Sequence, residues 1–223
     1  MELASKGRDA VLADQYYLIA HEDRTGRSRL HPRATGLGLA AALLAELVLE
    51  GRVGINDGEL LVLDQRPPRD ALNHDILDLL NTQPQHRDMR TWMAYLAQDA
   101  GLRVAERLMR VGAVEMVTKR RMLGSTQVLY MPNTARQRNA AAWASTRVAN
   151  ILVRGMELNL PDRTLVGVVV ATGLTRHVMY GFENYPHIYH ALPGMIASLP
   201  SDLREIVECT ESLVGSALTV GRR

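Results

Sequence analysis

The chain contains a single cysteine, Cys209, in 223 residues. That excludes an internal disulfide framework and a cysteine-based zinc site. It fits a reducing, cytoplasmic setting, and a cysteine in an apolar helical region reads as a small core residue. No run reaches the roughly 18 apolar residues that a membrane span requires. The longest candidate, Leu165 to Leu174, is interrupted by glycine and threonine and reads as a buried helix. The opening Met-Glu-Leu-Ala-Ser-Lys-Gly-Arg has no apolar stretch, so no secretory signal is expected. No Gly-x-Ser-x-Gly, phosphate-loop or Gly-x-Gly-x-x-Gly pattern occurs. Gly36-Leu-Gly-Leu-Ala-Ala lacks both a preceding strand and the third glycine of a dinucleotide fingerprint. The expectation is a protein that is not an enzyme, with no catalytic residues, no metal and no cofactor.

Acidic residues are missing where they would matter most. No Asp or Glu lies between Met116 and Met156, a window that holds Lys119, Arg120, Arg121, Arg136, Arg138, Arg147 and Arg154. The whole chain carries a formal charge of only +2, so the distribution says more than the sum. A local field of this sign attracts phosphate, on lipid headgroups or on nucleic acid. The plainer reading is a solvated basic face whose acidic neighbours come from elsewhere in the fold.

What the sequence does hold is mostly helix, with charged residues at 22% as in globular proteins. Leu39, Leu43, Leu44, Leu47 and Val48 recur at helical spacing and predict a helix over 36–50 with one apolar face. Ala40, Ala41, Ala42 and Ala45 allow a second helix to approach closely, and Gly51 stands where a left-handed residue ends a helix. A hairpin over 53–63 with an Asp-Gly turn follows. Further helices are expected over 10–20, 70–81, 92–100, 101–111, 136–156, 164–177 and from Asp202 to about Leu218, with Asp88 or Thr91 as a cap. Ala113 to Val117 and Val128 to Met131 read as short strands around a basic tip. Pro186 and Pro193 read as punctuation. The fold class is mainly α: one globular helical domain over 1–223 with small β-hairpins, one of them projecting.

Other candidate chemistry is thin. His21-Glu22-Asp23 reads as a turn, because adjacent side chains point in different directions. His187 and His190 have a spacing that can serve a metal, but no second cluster completes the set. Two readings of the centre compete. In a winged helix, Arg103, Arg107 and Arg110 would lie on a recognition helix and Lys119 to Arg121 on the wing. In a membrane-surface module, the same cations act together with Met122, Leu123, Val128, Leu129 and Tyr130 of the hairpin at an anionic interface. The plain alternative to both is a hairpin packed on the core or on another subunit.

Several segments carry a family resemblance. Tyr17-Leu-Ile-Ala-His-Glu-Asp-Arg-Thr-Gly26 is followed by Gly38-Leu and Leu43-Leu-Ala-Glu-Leu-Val-Leu-Glu-Gly-Arg-Val53. Trp92, Arg103-Val-Ala-Glu-Arg-Leu108 with Gly112-Ala-Val114, and Asp162-Arg-Thr-Leu165 with Ala171-Thr-Gly-Leu174 follow in order. From about Leu12 to Val220 the chain resembles a prokaryotic member of the Golgi phosphoprotein 3 family.

That resemblance implies an all-α fold with a β-hairpin arm. It also implies peripheral membrane binding through phosphatidylinositol 4-phosphate, adaptor function toward client proteins and self-association through the hairpin. The family's headgroup tryptophan falls near His31, its signature-helix arginine at Ala40, and its remaining headgroup arginines near Gln98 and Gly101. Arg103 keeps a cation close to that row. His31, Arg33 and Arg29 precede the signature helix, whose N-terminal N–H groups favour an anion. The expected partner is therefore an anionic phospholipid at a membrane surface, with cytoplasmic, peripherally membrane-associated localisation. A homo-oligomer formed through the hairpin and a protein client are further expectations. Nucleic acid belongs only to the winged-helix alternative.

Overall fold

The computed structural model describes residues 11–120, 126–132, 146–150, 152–153, 158–180 and 185–220. Helix α1 spans Leu12–Ala20 and α2 spans Pro32–Leu49. The His31 side chain accepts the Arg33 N–H at the N-cap of α2, and Pro32 occupies the first turn. Gly51, at φ 66°, closes the helix in the left-handed conformation expected for it. The spacing predicts one apolar face, but every residue from Ala34 to Leu47 is buried. The reason is position: α2 runs through the centre, packed against neighbours on all sides. A helix that is apolar all round is a buried helix. It is also the one described helix long and apolar enough to cross a membrane, and 78% of it is buried inside the protein.

Strands β1 (Val53–Asn56) and β2 (Glu59–Val62) pair antiparallel, with Val53 opposite Val62. Asp57 and Gly58 both have positive φ, 51° and 77°, as a tight two-residue hairpin turn requires. Helix α3 spans Ala71–Thr82, α4 spans Met89–Leu96 and α5 spans Ala100–Arg110. Asp70 caps α3 by accepting the Asn73 N–H, and Asp88 caps α4 by accepting the Thr91 N–H at 2.7 Å. Gly112 (φ 70°) turns the chain out of α5 into β3 (Val114–Arg120), which pairs antiparallel with β4 (Thr126–Pro132). Both strands run longer than the sequence predicts.

The second half contains a helical stretch at 146–150, then α6 (Leu160–Ala171), α7 (Thr175–Val178), α8 (Pro186–Ala197) and α9 (Ser201–Val220). The helix expected over 164–177 is two helices, because Gly173 at φ 81° breaks the run. Pro186 and Pro193 do not mark a loop. Pro186 opens α8 and Pro193 sits inside it. A proline in the first turn gives up no helical hydrogen bond, which is why Pro186 is compatible with a helix. Most of the helix expected over 136–156 lies outside the described residues. α9 secures the first hairpin: Asp202 accepts the Ile55 N–H at 3.2 Å and Glu205 accepts the Gly58 N–H at 2.9 Å. Cys209 is buried on α9. The architecture is mainly α with two small antiparallel hairpins, as the sequence predicts.

Candidate functional site

Two regions carry the sequence candidates: the β3–β4 hairpin and the entry to α2. Pairing in the hairpin sets Met116 opposite Tyr130 and Thr118 opposite Val128, with Val117 opposite Leu129 on the alternate face. Exposure separates these residues. Val111 at the hairpin base is 68% exposed, Met116 55% and Val128 49%, whereas Leu129 is 7% exposed. Tyr130 is half-buried against the core. Of the apolar candidates with described side chains, only Val128 is therefore presented outward. Tyr130 holds the hairpin to the body, Leu129 is buried on the alternate face, and Met116 joins Val128 as an outward apolar residue that the sequence reading missed.

The loop over 22–28 packs beneath the hairpin. A Cβ built at Gly26 would meet the Tyr130 carbonyl oxygen at 2.8 Å, so only glycine fits there. Lys119 and Arg120 occupy the outer part of β3, Arg120 opposite Thr126. Arg121, Met122 and Leu123 lie outside the described residues.

At the entry to α2, His31 and Arg33 are exposed. The backbone donors there are not free, contrary to the expectation for a helix N-terminus. Arg33 N–H goes to His31 Nδ1 at 3.3 Å, and Ala34 and Thr35 N–H go to the His31 carbonyl at 2.9 and 3.1 Å. Any anion held there relies on side chains. Arg29 is half-buried and pairs with Asp23 at 3.7 Å. Burial lowers the affinity of the neighbouring His177 for a proton, and Arg29 lowers it further, while Asp23 and Glu22 oppose the shift. Arg103 turns toward α3 and pairs with Asp75 at 3.1 Å.

Residues next to the positions that the resemblance points to pack against one another across α2, α4 and α5. Gly36 of α2 lies directly against the carbonyl of Ala97 after α4, and Leu39 reaches Gly101 on α5. At that contact Ala40 is fully buried and Gln98 exposed. His31 and Arg33 are the nearest cationic types in sequence on the α2 side.

The strongest electrostatic feature is interior. Arg107 of α5, 4% exposed, reaches Asp14 of α1 at 2.8 Å, Asp70 at the α3 N-cap at 2.9 Å and Glu46 of α2 at 3.3 Å. Glu46 also accepts the Ala13 N–H at 2.7 Å and an N–H of the Asn73 amide at 2.8 Å. One guanidinium thus ties four helices together. This geometry takes Arg107 out of the winged-helix reading, because it is inside the protein and cannot face a groove. The sequence carries one signal for this knot: Glu46 is a lone carboxylate inside an apolar run, and a buried charge needs a partner. A second knot joins Arg147 to Asp162 at 2.7 Å and to Gln15.

Burial pushes Glu46 up to about 7 from 4.5, against the lowering effects of Arg107 and its hydrogen bonds. Its folded-state proton affinity exceeds the unfolded one. The stability it contributes is therefore full below about pH 4.5 and is lost as pH rises through about 7. Thermal unfolding followed from pH 4.5 to 8 should show wild type losing stability across that window relative to Glu46→Gln. A parallel pH dependence in the two proteins would contradict this account.

His187 and His190 lie exposed on α8. Among the described residues, no group of three or more His, Cys, Asp or Glu side chains could hold a metal ion.

The chain matches none of the curated proteins compared with it. The family model described as Golgi phosphoprotein 3 (GPP34) matches residues 12–209, which include α1, α2, both hairpins and the first part of α9. That match spans most of the sequence: the chain belongs to the Golgi phosphoprotein 3 (GPP34) family.

Proposed function

We propose that this chain is a peripheral membrane protein that binds anionic phospholipid through the β3–β4 hairpin, and that it acts there as a binding protein rather than an enzyme. The observation that carries the reading is the outward apolar pair Met116 and Val128, on one face of a hairpin that meets Lys119, Arg120 and Arg121 in sequence, in a segment without acidic residues. Cations attract the lipid surface, and the adjacent apolar groups enter the interface. Resemblance names phosphatidylinositol 4-phosphate as the headgroup, with His31, Arg33, Arg29 and Arg103 as its candidate contacts. A role as membrane adaptor, self-association through the hairpin and cytoplasmic localisation belong to the same proposal.

Vesicle co-sedimentation tests it. Neutralising Lys119, Arg120 and Arg121 together should weaken partitioning to acidic vesicles at low salt by roughly a hundredfold, at about 1 kcal/mol per cation. Val128→Asp should weaken it at every salt concentration. Preference for phosphatidylinositol 4-phosphate over phosphatidylserine would assign a specific headgroup site. Equal, salt-sensitive binding to both would assign a general basic surface. Undiminished binding by the triple variant would reject the hairpin as the contact.

A further inference from the structure

A large concavity lies far along the chain from the hairpin. It is a cavity of about 710 Å³ between the end of α6, α7, α8 and α9, within the range of about 300–1,000 Å³ typical of small-molecule sites. The sequence explains why it exists. Gly173, in the left-handed conformation, stops α6 and redirects the chain into the short α7, and nothing lies within 4 Å of where its Cβ would be. Across the cavity, Pro193 sits inside α8 and has no N–H to return to the Tyr189 carbonyl one turn earlier. Both Tyr189 and Pro193 line the wall.

The floor is apolar: Leu192 is buried, and Val170 and Ile196 are half-buried against the core. The rim carries two guanidiniums and two carboxylates, from Arg176, Arg204, Glu208 and Glu211. Arg204 is engaged within the protein, donating to the Ala197 carbonyl at 3.3 Å and lying 3.9 Å from Glu208. Arg176 and Glu211 are exposed. A rim of balanced sign does not favour a purely anionic lipid, because its head would face Glu208 and Glu211 as well as the arginines. A purely cationic amphiphile meets the converse obstacle. An apolar floor beneath a rim that holds exposed cationic and exposed anionic groups together matches a molecule with a chain and both charges.

We infer that this cavity binds a single-chain zwitterionic amphiphile, with its chain on Val170, Leu192 and Ile196 and its charged ends on Arg176 and Glu211. The site is separate from the hairpin surface and does not rest on the reading proposed for it. The ammonium end donates to Glu211 and the anionic end accepts from Arg176.

Titration calorimetry of the full chain with short-chain lysophosphatidylethanolamine, kept below its micelle concentration, tests the assignment. One-to-one binding is expected. Lysophosphatidic acid, an alkyltrimethylammonium and an alkyl maltoside of equal chain length should each bind at least about tenfold more weakly. Ala197→Phe, placed on the exposed rim, should abolish the one-to-one signal. The double variant Arg176→Gln with Glu211→Gln should bind all four probes alike, and it changes only exposed side chains, so it decides the question even if Ala197→Phe fails to fold. Val128→Asp on the hairpin should leave the titration unchanged. Absence of one-to-one binding, equal binding of all four probes by wild type, or loss of binding in Val128→Asp would each overturn the proposal.

Discussion

Arg107→Met is expected to lower the free energy of unfolding by about 3–5 kcal/mol, the loss seen when one partner of a buried ion pair is removed. The substitution nearly conserves volume, so the cost comes from charge rather than from a cavity. It leaves the carboxylates of Asp14, Glu46 and Asp70 around a site with no cation, and Glu46 is almost completely buried. Those carboxylates come from α1, α2 and the cap of α3, so the loss spreads over the helices that α5 joins. For a chain of this size, the fall in Tm should be roughly 6–20 °C. Arg107→Lys keeps the charge but not the fork of donors that serves three acceptors at once, and it should fall between wild type and Met. Arg103→Met, two turns of helix or less away on α5, removes only an exposed pair with Asp75 and should change stability by about 0–1 kcal/mol. Denaturant unfolding followed by circular dichroism distinguishes the two positions. Equal, small effects at Arg103 and Arg107 would show that the interior knot does not hold the fold together.

The second large effect is steric. Gly36→Ala should destabilise by about 1–3 kcal/mol, although alanine gains about 1 kcal/mol over glycine in helix propensity. The methyl group would sit inside the van der Waals envelope of the Ala97 carbonyl oxygen, which is backbone and cannot rotate aside. Yielding means moving α2 off the α4–α5 junction. Gly38 is in a similar position, because its added methyl group would overlap the ring of Tyr16, a fully buried α1 residue. Gly215 gives the opposite sign. It lies exposed on α9 with nothing within 4 Å of its absent Cβ, so Gly215→Ala should stabilise by about 0.5–1 kcal/mol through propensity alone. Thermal melts of the two variants side by side are the measurement. A stabilised Gly36→Ala would mean that α2 and the Ala97 segment are not in close contact.

These two residues also mark how far the sequence could be read. Local chemistry was legible: Gly51 as a helix end, Asp88 as a cap, and Asp57-Gly58 as a hairpin turn all depend on neighbours within four residues. The resemblance placed the helices in order and the hairpin after α5. Within the hairpin, alternation alone could not tell Val128, which faces out, from Leu129, which is buried. Proline disfavours helix locally, so Pro193 reads as punctuation in the sequence, whereas packing of α8 on α6 and α9 offsets the lost hydrogen bond.

The sequence by itself determined the mainly helical class, the element boundaries set by caps and glycines, the acid-free basic segment, and the family. Tertiary structure alone decided that α2 is buried on every side and that Arg107 is an interior tie rather than a surface cation. It also decided that the space between Gly173 and Pro193 is open. The physical reason is range. Propensity and capping act over one turn, whereas the partner of a buried charge at position 107 is chosen by residues 14, 46 and 70, which only the packing of four helices brings within 3.3 Å of it.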